Sequence, residues 1–196
     1  MAPLTASVVK GPITAKGHVP EYTANGFPAF LITLTTWSAC TYFGLFPATI
    51  VYDNFCAIIS SLCVFALLFC LVLYIKGLYF PSTPDHGSSG NPIVDYWWGT
   101  ELYPNILGFD VKMFTNCRFG MNAWYLIVLS FAAKNAELNG GQVTYAMMVC
   151  ASLITIYLGK FFWWEMGYMQ TIDIAHDRSG YYICCESWLC QRCCTR

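Results

Sequence analysis

Two sets of side chains have the types and spacing to move protons. Asp173, His176 and Asp177 stand at i, i+3 and i+4, so a helix would place them on one face. Asp-x-x-His-Asp could relay a proton or hold a metal weakly. It could equally be a hydrogen-bonded helix end near a membrane surface, or polar residues lining a pocket, since carboxylates at membrane depth are costly and tend to serve function. Only three histidines occur, His18, His86 and His176, too few for a multi-histidine di-iron centre. The second set is Glu101 with Trp97, Trp98 and Tyr103 around it. Desolvation among aromatics favours the protonated form of a carboxyl group, which suits a proton donor. The competing reading is an exposed loop glutamate.

Other chemistries find little support. Cys190-x-x-Cys193 has zinc-knuckle spacing but no second pair at a suitable distance, so no metal is expected. No Ser/His/Asp arrangement, phosphate-binding P-loop or GxGxxG is present. The formal net charge of -1 leaves no basic field for nucleic acid.

The elements that must position these residues follow from composition. Of 196 residues, 57% are apolar, 17% aromatic and 11% charged. Soluble domains carry about 25% charged residues. A chain so poor in charge belongs in apolar solvent, and the expected class is all-α, a polytopic transmembrane helix bundle. Cys40, Cys56, Cys63, Cys70 and Cys150 lie inside apolar runs and read as small packing residues. No charged stretch precedes an apolar one at Met1–Lys10, so no cleavable signal peptide is expected.

Residues 1–26 are rich in Pro, Gly and Thr and read as a cytosolic loop or tail. Four spans follow: about Phe27–Val51, Phe55–Ile75, Phe119–Ala133 and Val143–Trp164. In the first, Thr33, Thr35, Thr36, Ser38 and Thr41 can bond back to helix carbonyls, and Gly44 and Pro47 kink or end it. The second is uninterrupted, and Lys76 ends it as a snorkelling anchor would. The third is marginal in length and relies on Arg118 and Lys134 reaching outward, with Asn135–Gly141 turning the chain. Between the second and third spans, Gly90–Gly120 gathers Asp95, Glu101, Asp110, Lys112 and Arg118 among aromatics. It either builds a site or is where polar residues collect outside a membrane. A short helix over about Val94–Leu102, broken at Pro104, is expected there. Nine cations fall on one side of this arrangement against Lys134 alone on the other, which places both termini and the 77–118 loop in the cytosol.

Several strings resemble the sterol reductase family: Gly90-Asn91-Pro92 through Glu101-Leu102-Tyr103-Pro104, Phe109-Asp110-Val111-Lys112 to Asn116-Cys117-Arg118-Phe119-Gly120, Ser130 to Lys134, Thr171 to Asp177, and Lys10-Gly11-Pro12 to Gly26. The resemblance covers about residues 10–184. Within the family it is nearest the delta-7 branch, because Asn116 stands where C-14 reductases and the lamin B receptor tend to have glutamate. It implies a multi-pass membrane enzyme of the endoplasmic reticulum that uses NADPH to reduce the C7–C8 double bond of a sterol. C-14 reduction, or non-catalytic sterol binding as in the lamin B receptor, are the alternatives. On this reading Glu101, Asp173, His176 and Asp177 are the catalytic residues, and Trp97, Trp98, Tyr103, Asn116, Arg118 and Trp164 bind the substrate. The partners implied are the sterol and membrane lipid.

The chain departs from the family in three places. Asn105 replaces the arginine that usually follows Glu-Leu-x-Pro. About four spans stand against the family's ten or so, with the C-terminal half, and most of the NADPH pocket with it, missing; no cofactor-binding residue is expected here. Residues 27–184 thus read as a partial transmembrane domain, an N-terminal-side fragment that is inactive alone. Residues 185–196 read as a divergent tail from a frame change or unspliced intron, which accounts for the terminal cysteines better than zinc does.

Overall fold

The computed structural model describes residues 7–11, 13–14, 16–111 and 114–164. Their order is β1 (Ser7–Lys10), β2 (Glu21–Ala24), α1 (Gly26–Tyr42), α2 (Ile50–Asp53), α3 (Phe55–Tyr79), α4 (Pro92–Trp98), β3 (Asn105–Ile106), β4 (Phe109–Asp110), a π-helix (Phe114–Gly120), α5 (Met121–Leu138) and α6 (Tyr145–Trp163). The chain is mostly helical and divides into two compact units. The described part of one falls within residues 25–61 and 117–164, and that of the other within 8–24 and 62–111 together with 114–116.

The first unit packs α1, α5 and α6 around Phe30, Tyr125, Leu158 and Phe162. The Phe30 and Phe162 rings stack at 5.0 Å, and Tyr125 leans on Phe30 at 5.2 Å. Aromatic faces dominate because helices this apolar find little hydrophobic driving force between one another in lipid and rely on close packing. One polar bond crosses the core. Thr155 spends its proton on the Ala151 carbonyl, so the Tyr125 hydroxyl, 3.1 Å away, donates to Thr155 Oγ1. At the other end of α5, the α2 backbone N–H of Tyr52 donates to the fully buried Ser130 hydroxyl at 3.1 Å. Lys134 lies 3.3 Å from Asp53.

The hydroxyls of α1 behave as the sequence suggests: Thr33, Thr35 and Thr41 each donate to the carbonyl four residues back. The helix stops at Tyr42, ahead of Gly44 at φ +70° and Pro47. The expected first span is therefore a 17-residue helix plus the separate turn of α2. The third is longer than expected, because α5 continues through Lys134 to Leu138 instead of turning at Asn135.

Two helices are long and apolar enough to cross a bilayer: α3, 25 residues with mean hydropathy 2.9, and α6, 19 residues with mean hydropathy 1.6. At 1.5 Å per residue, α3 measures about 37 Å against a hydrocarbon core of about 30 Å. α1 is shorter, and α5 carries Lys134 and Glu137.

In the second unit the N-terminal segment is not simply a loop. β1 and β2 pair as a two-stranded sheet, and inside their connection Gly11 N–H bonds to the Pro20 carbonyl at 2.8 Å. Pro and Gly exclude a helix there, as read, but the turns they form bring two extended stretches together.

Candidate functional site

The segment after α3 is built on the end of that helix. Asn91 caps α4, its Oδ1 accepting from Ile93 N–H at 3.0 Å and Val94 N–H at 3.3 Å, with Pro92 at the first helical position. α4 ends at Trp98, shorter than expected, because Gly99 adopts φ +81°. Asp95 is buried and accepts from the Ser88 hydroxyl and from Ser89 N–H. Tyr96 donates to the Leu67 carbonyl of α3 at 2.9 Å. Residues 99–104 then run extended. His86 and Glu101 form an antiparallel bridge, with Gly87 N–H bonded to Thr100 O and Leu102 N–H to Asp85 O.

Glu101 is buried, with 1% of its side chain exposed. Its Oε2 lies 2.7 Å from the Lys76 ammonium in the last turn of α3, and its Oε1 accepts from the backbone N–H groups of Ser82 and Thr83. Both carboxylate oxygens therefore serve as acceptors. Lys76 also donates to Ser82 Oγ and Phe80 O, so the snorkelling anchor expected at this position is instead an internal ion pair. Ser82 Oγ in turn donates to Asn105 O at 3.0 Å.

Two residues on, Tyr103 is buried, with its ring 6.2 Å from Tyr22 edge-on and 6.3 Å from His18. Burial pushes its hydroxyl up to about 12; the Tyr22 side chain works the other way, and the charges of Asp110 and Asp85 add to the rise. After the buried Pro104, β3 and β4 pair Asn105 with Asp110 and Ile106 with Phe109 around Leu107 (φ +52°) and Gly108 (φ +85°).

The residues singled out from the sequence distribute as follows. Glu101 and Tyr103 share this loop, and Trp97 and Trp98 lie on the last turn of α4, Trp97 on its exposed side. Arg118 belongs to the other unit, where its Nε and Nη2 donate to the Asn25 side chain at 2.9 and 2.7 Å. Trp164 also belongs there, capping α6 and 65% exposed. The Asn116 side chain and the Asp173/His176/Asp177 face lie outside the described residues. Among the described residues, no group of three His, Cys, Asp or Glu could hold a metal.

Lys76, Ser82 and Thr83 were not picked out as site residues. Lys76 left one signal: it is the sole cation between Lys16 and Lys112, so a glutamate buried at 101 has few counter-ions within reach.

The ergosterol biosynthesis ERG4/ERG24 family matches residues 2–187. The chain is 48% identical over 184 residues to a 7-dehydrocholesterol reductase of Arabidopsis thaliana, covering 92% of this chain and 42% of the relative. It is 40% identical to a 7-dehydrocholesterol reductase of Xenopus laevis, covering 90% and 38% of the two chains. A delta(14)-sterol reductase of Methylotuvimicrobium alcaliphilum is 34% identical, over 90% of this chain and 40% of that one. The chain thus spans about two fifths of these relatives, and the match, running from the N-terminal strands through the Glu101 loop and beyond α6, places it in the ERG4/ERG24 sterol reductase family.

Proposed function

We propose that the whole protein to which this chain contributes reduces the C7–C8 double bond of a sterol of the 7-dehydrocholesterol type. The observation that carries this reading is the 48% identity to the Arabidopsis 7-dehydrocholesterol reductase against 34% to the delta(14)-sterol reductase. Saturating a ring alkene requires a proton at one carbon and a hydride at the other. The protein's share is an acid, an apolar slot and the exclusion of water.

For the acid, this reading favours Asp173, His176 and Asp177. Glu101 would have to leave Lys76 before it could give up a proton, so its part is to shape the loop beside the sterol. Trp97, Trp98 and Tyr103 supply apolar faces on that loop, and Asn116, Arg118 and Trp164 are the remaining substrate contacts. NADPH is the reductant this activity carries. Among the described residues, Lys16 is bonded to His86 O, Lys76 to Glu101 and Arg118 to Asn25. These cations do not fit a phosphate cradle, so no step is derived through the cofactor, and its contacts are assigned to the part of the protein beyond this chain. The location is the endoplasmic-reticulum membrane, with the 77–118 loop and both ends of the chain in the cytosol.

A chimera in which this chain replaces the matching part of the Arabidopsis reductase tests the reading. Conversion of added 7-dehydrocholesterol, read as loss of its conjugated-diene absorbance, is the expected result. A membrane-inserted chimera that leaves this sterol untouched and reduces a C-14 alkene would overturn it. The chain alone should turn over neither.

A further inference from the structure

The geometry points to Lys76 as a positioning residue: its ammonium, bound by Glu101, Ser82 and Phe80 O, fastens the Gly-Thr-Glu-Leu-Tyr-Pro loop to the end of α3. An ammonium has three N–H groups, and here each has an acceptor within the chain, at 2.7 Å for Glu101 Oε2 and 3.4 Å for Phe80 O, with Ser82 Oγ completing the set. Three sequence-distant pieces meet on this one charge. α3 supplies Lys76, the turn after it supplies Ser82 and Thr83, and the extended run supplies Glu101. Ser82 carries the connection one step further, since its hydroxyl donates to Asn105 O and accepts from Asn105 N–H at 3.2 Å. The base of the β3–β4 hairpin is thereby tied to the same point.

Burial gives the pair its consequence. Lys76 and Glu101 side chains are 15% and 1% exposed. A pair this deep is scarcely screened, and losing one partner strands the other charge away from water, whereas losing both removes the stranded charge. Lys76 therefore acts through Glu101, and the effects of removing them must be strongly non-additive. The inference does not depend on which sterol the whole protein uses.

Hydrogen-exchange mass spectrometry on the chain in lipid nanodiscs tests it. The Ser82 and Thr83 amides, which donate to Glu101, are the reporters. Lys76→Met and Glu101→Gln should each speed exchange of the peptide containing them at least tenfold. The Lys76→Met/Glu101→Gln double variant should be no faster than the faster single variant. Lys76→Arg, which keeps the charge, should recover most of the protection. Exchange over 121–138 serves as the control, and its remaining as in the wild type separates release of the loop from unfolding. Single variants within twofold of wild type, or a double variant whose effect is the product of the two, would overturn the assignment. If both single variants fail to insert, Lys76→Arg decides alone: wild-type protection supports the role, and tenfold faster exchange in a variant that inserts overturns it.

Discussion

Gly77 and Thr100 approach so closely that a Cβ on Gly77 would collide with the Thr100 hydroxyl and lie 3.3 Å from Glu101 Cβ. Gly77 sits near the end of α3, where alanine would otherwise favour the helix by roughly 0.8–1.0 kcal/mol. The glycine is kept because the loop is laid directly over it. Gly77→Ala should therefore destabilise the chain, by roughly 1–3 kcal/mol in place of that small gain. Thermal unfolding in detergent, followed by near-ultraviolet circular dichroism, would show it; a variant as stable as the wild type would mean the loop can lift without cost.

Ser130 offers a separate test in the first unit. Its hydroxyl is fully buried and is the acceptor for Tyr52 N–H. Ser130→Ala leaves that N–H without its acceptor, at a cost of about 1–3 kcal/mol. A matching drop in stability, with helix content unchanged, is expected by circular dichroism.

Tyr103 makes stability depend on alkaline pH. Its hydroxyl is raised from 10.0 to about 12 in the folded chain, so folding holds the proton more tightly than the unfolded state does. Below pH 10 both states keep the proton and the contribution is fully present. Between about 10 and 12 the unfolded chain ionises while the folded chain does not, and stability falls as pH rises. Tyr103→Phe should lose this part of the pH dependence. Denaturant unfolding of both proteins at intervals across that window would reveal it, and parallel curves would refute it.

At the start of α4, Asn91→Ala removes the acceptor for two backbone N–H groups and should cost about 1 kcal/mol. Asn91→Asp, which keeps an acceptor there, should cost much less. Hydrogen exchange of Ile93 and Val94 amides distinguishes the two variants.

What could be read from residues alone was whatever a short window determines. The apolar run from Phe55, the helix-ending Gly44 and Pro47 and the back-bonding threonines of α1 all depend on neighbours within a turn or two. Family membership was equally legible, because Gly90–Pro104 and Asn116–Gly120 retain their strings. What escaped were relations across many residues. The pairing of Ser7–Lys10 with Glu21–Ala24 needs a turn whose closure no periodicity announces. Lys76 and Glu101 stand 25 positions apart, and nothing local says that one neutralises the other. The end of α4 was misjudged for a smaller reason: Gly99 in a left-handed conformation outweighs the helical pattern that runs toward Leu102.

The π-helix at Phe114–Gly120 has a consequence for how the chain tolerates length changes. A π turn holds one residue more than an α turn, and each residue of an α-helix rotates the next by about 100°. Deleting one residue within Phe114–Gly120 would let the turn tighten into an ordinary one and swing the whole following helix about its axis. Tyr125 would leave Thr155, and Ser130 would leave Tyr52, although neither had been altered. The heptapeptide thus works as a phase setter, and the facing of an entire span is encoded in the count of residues ahead of it.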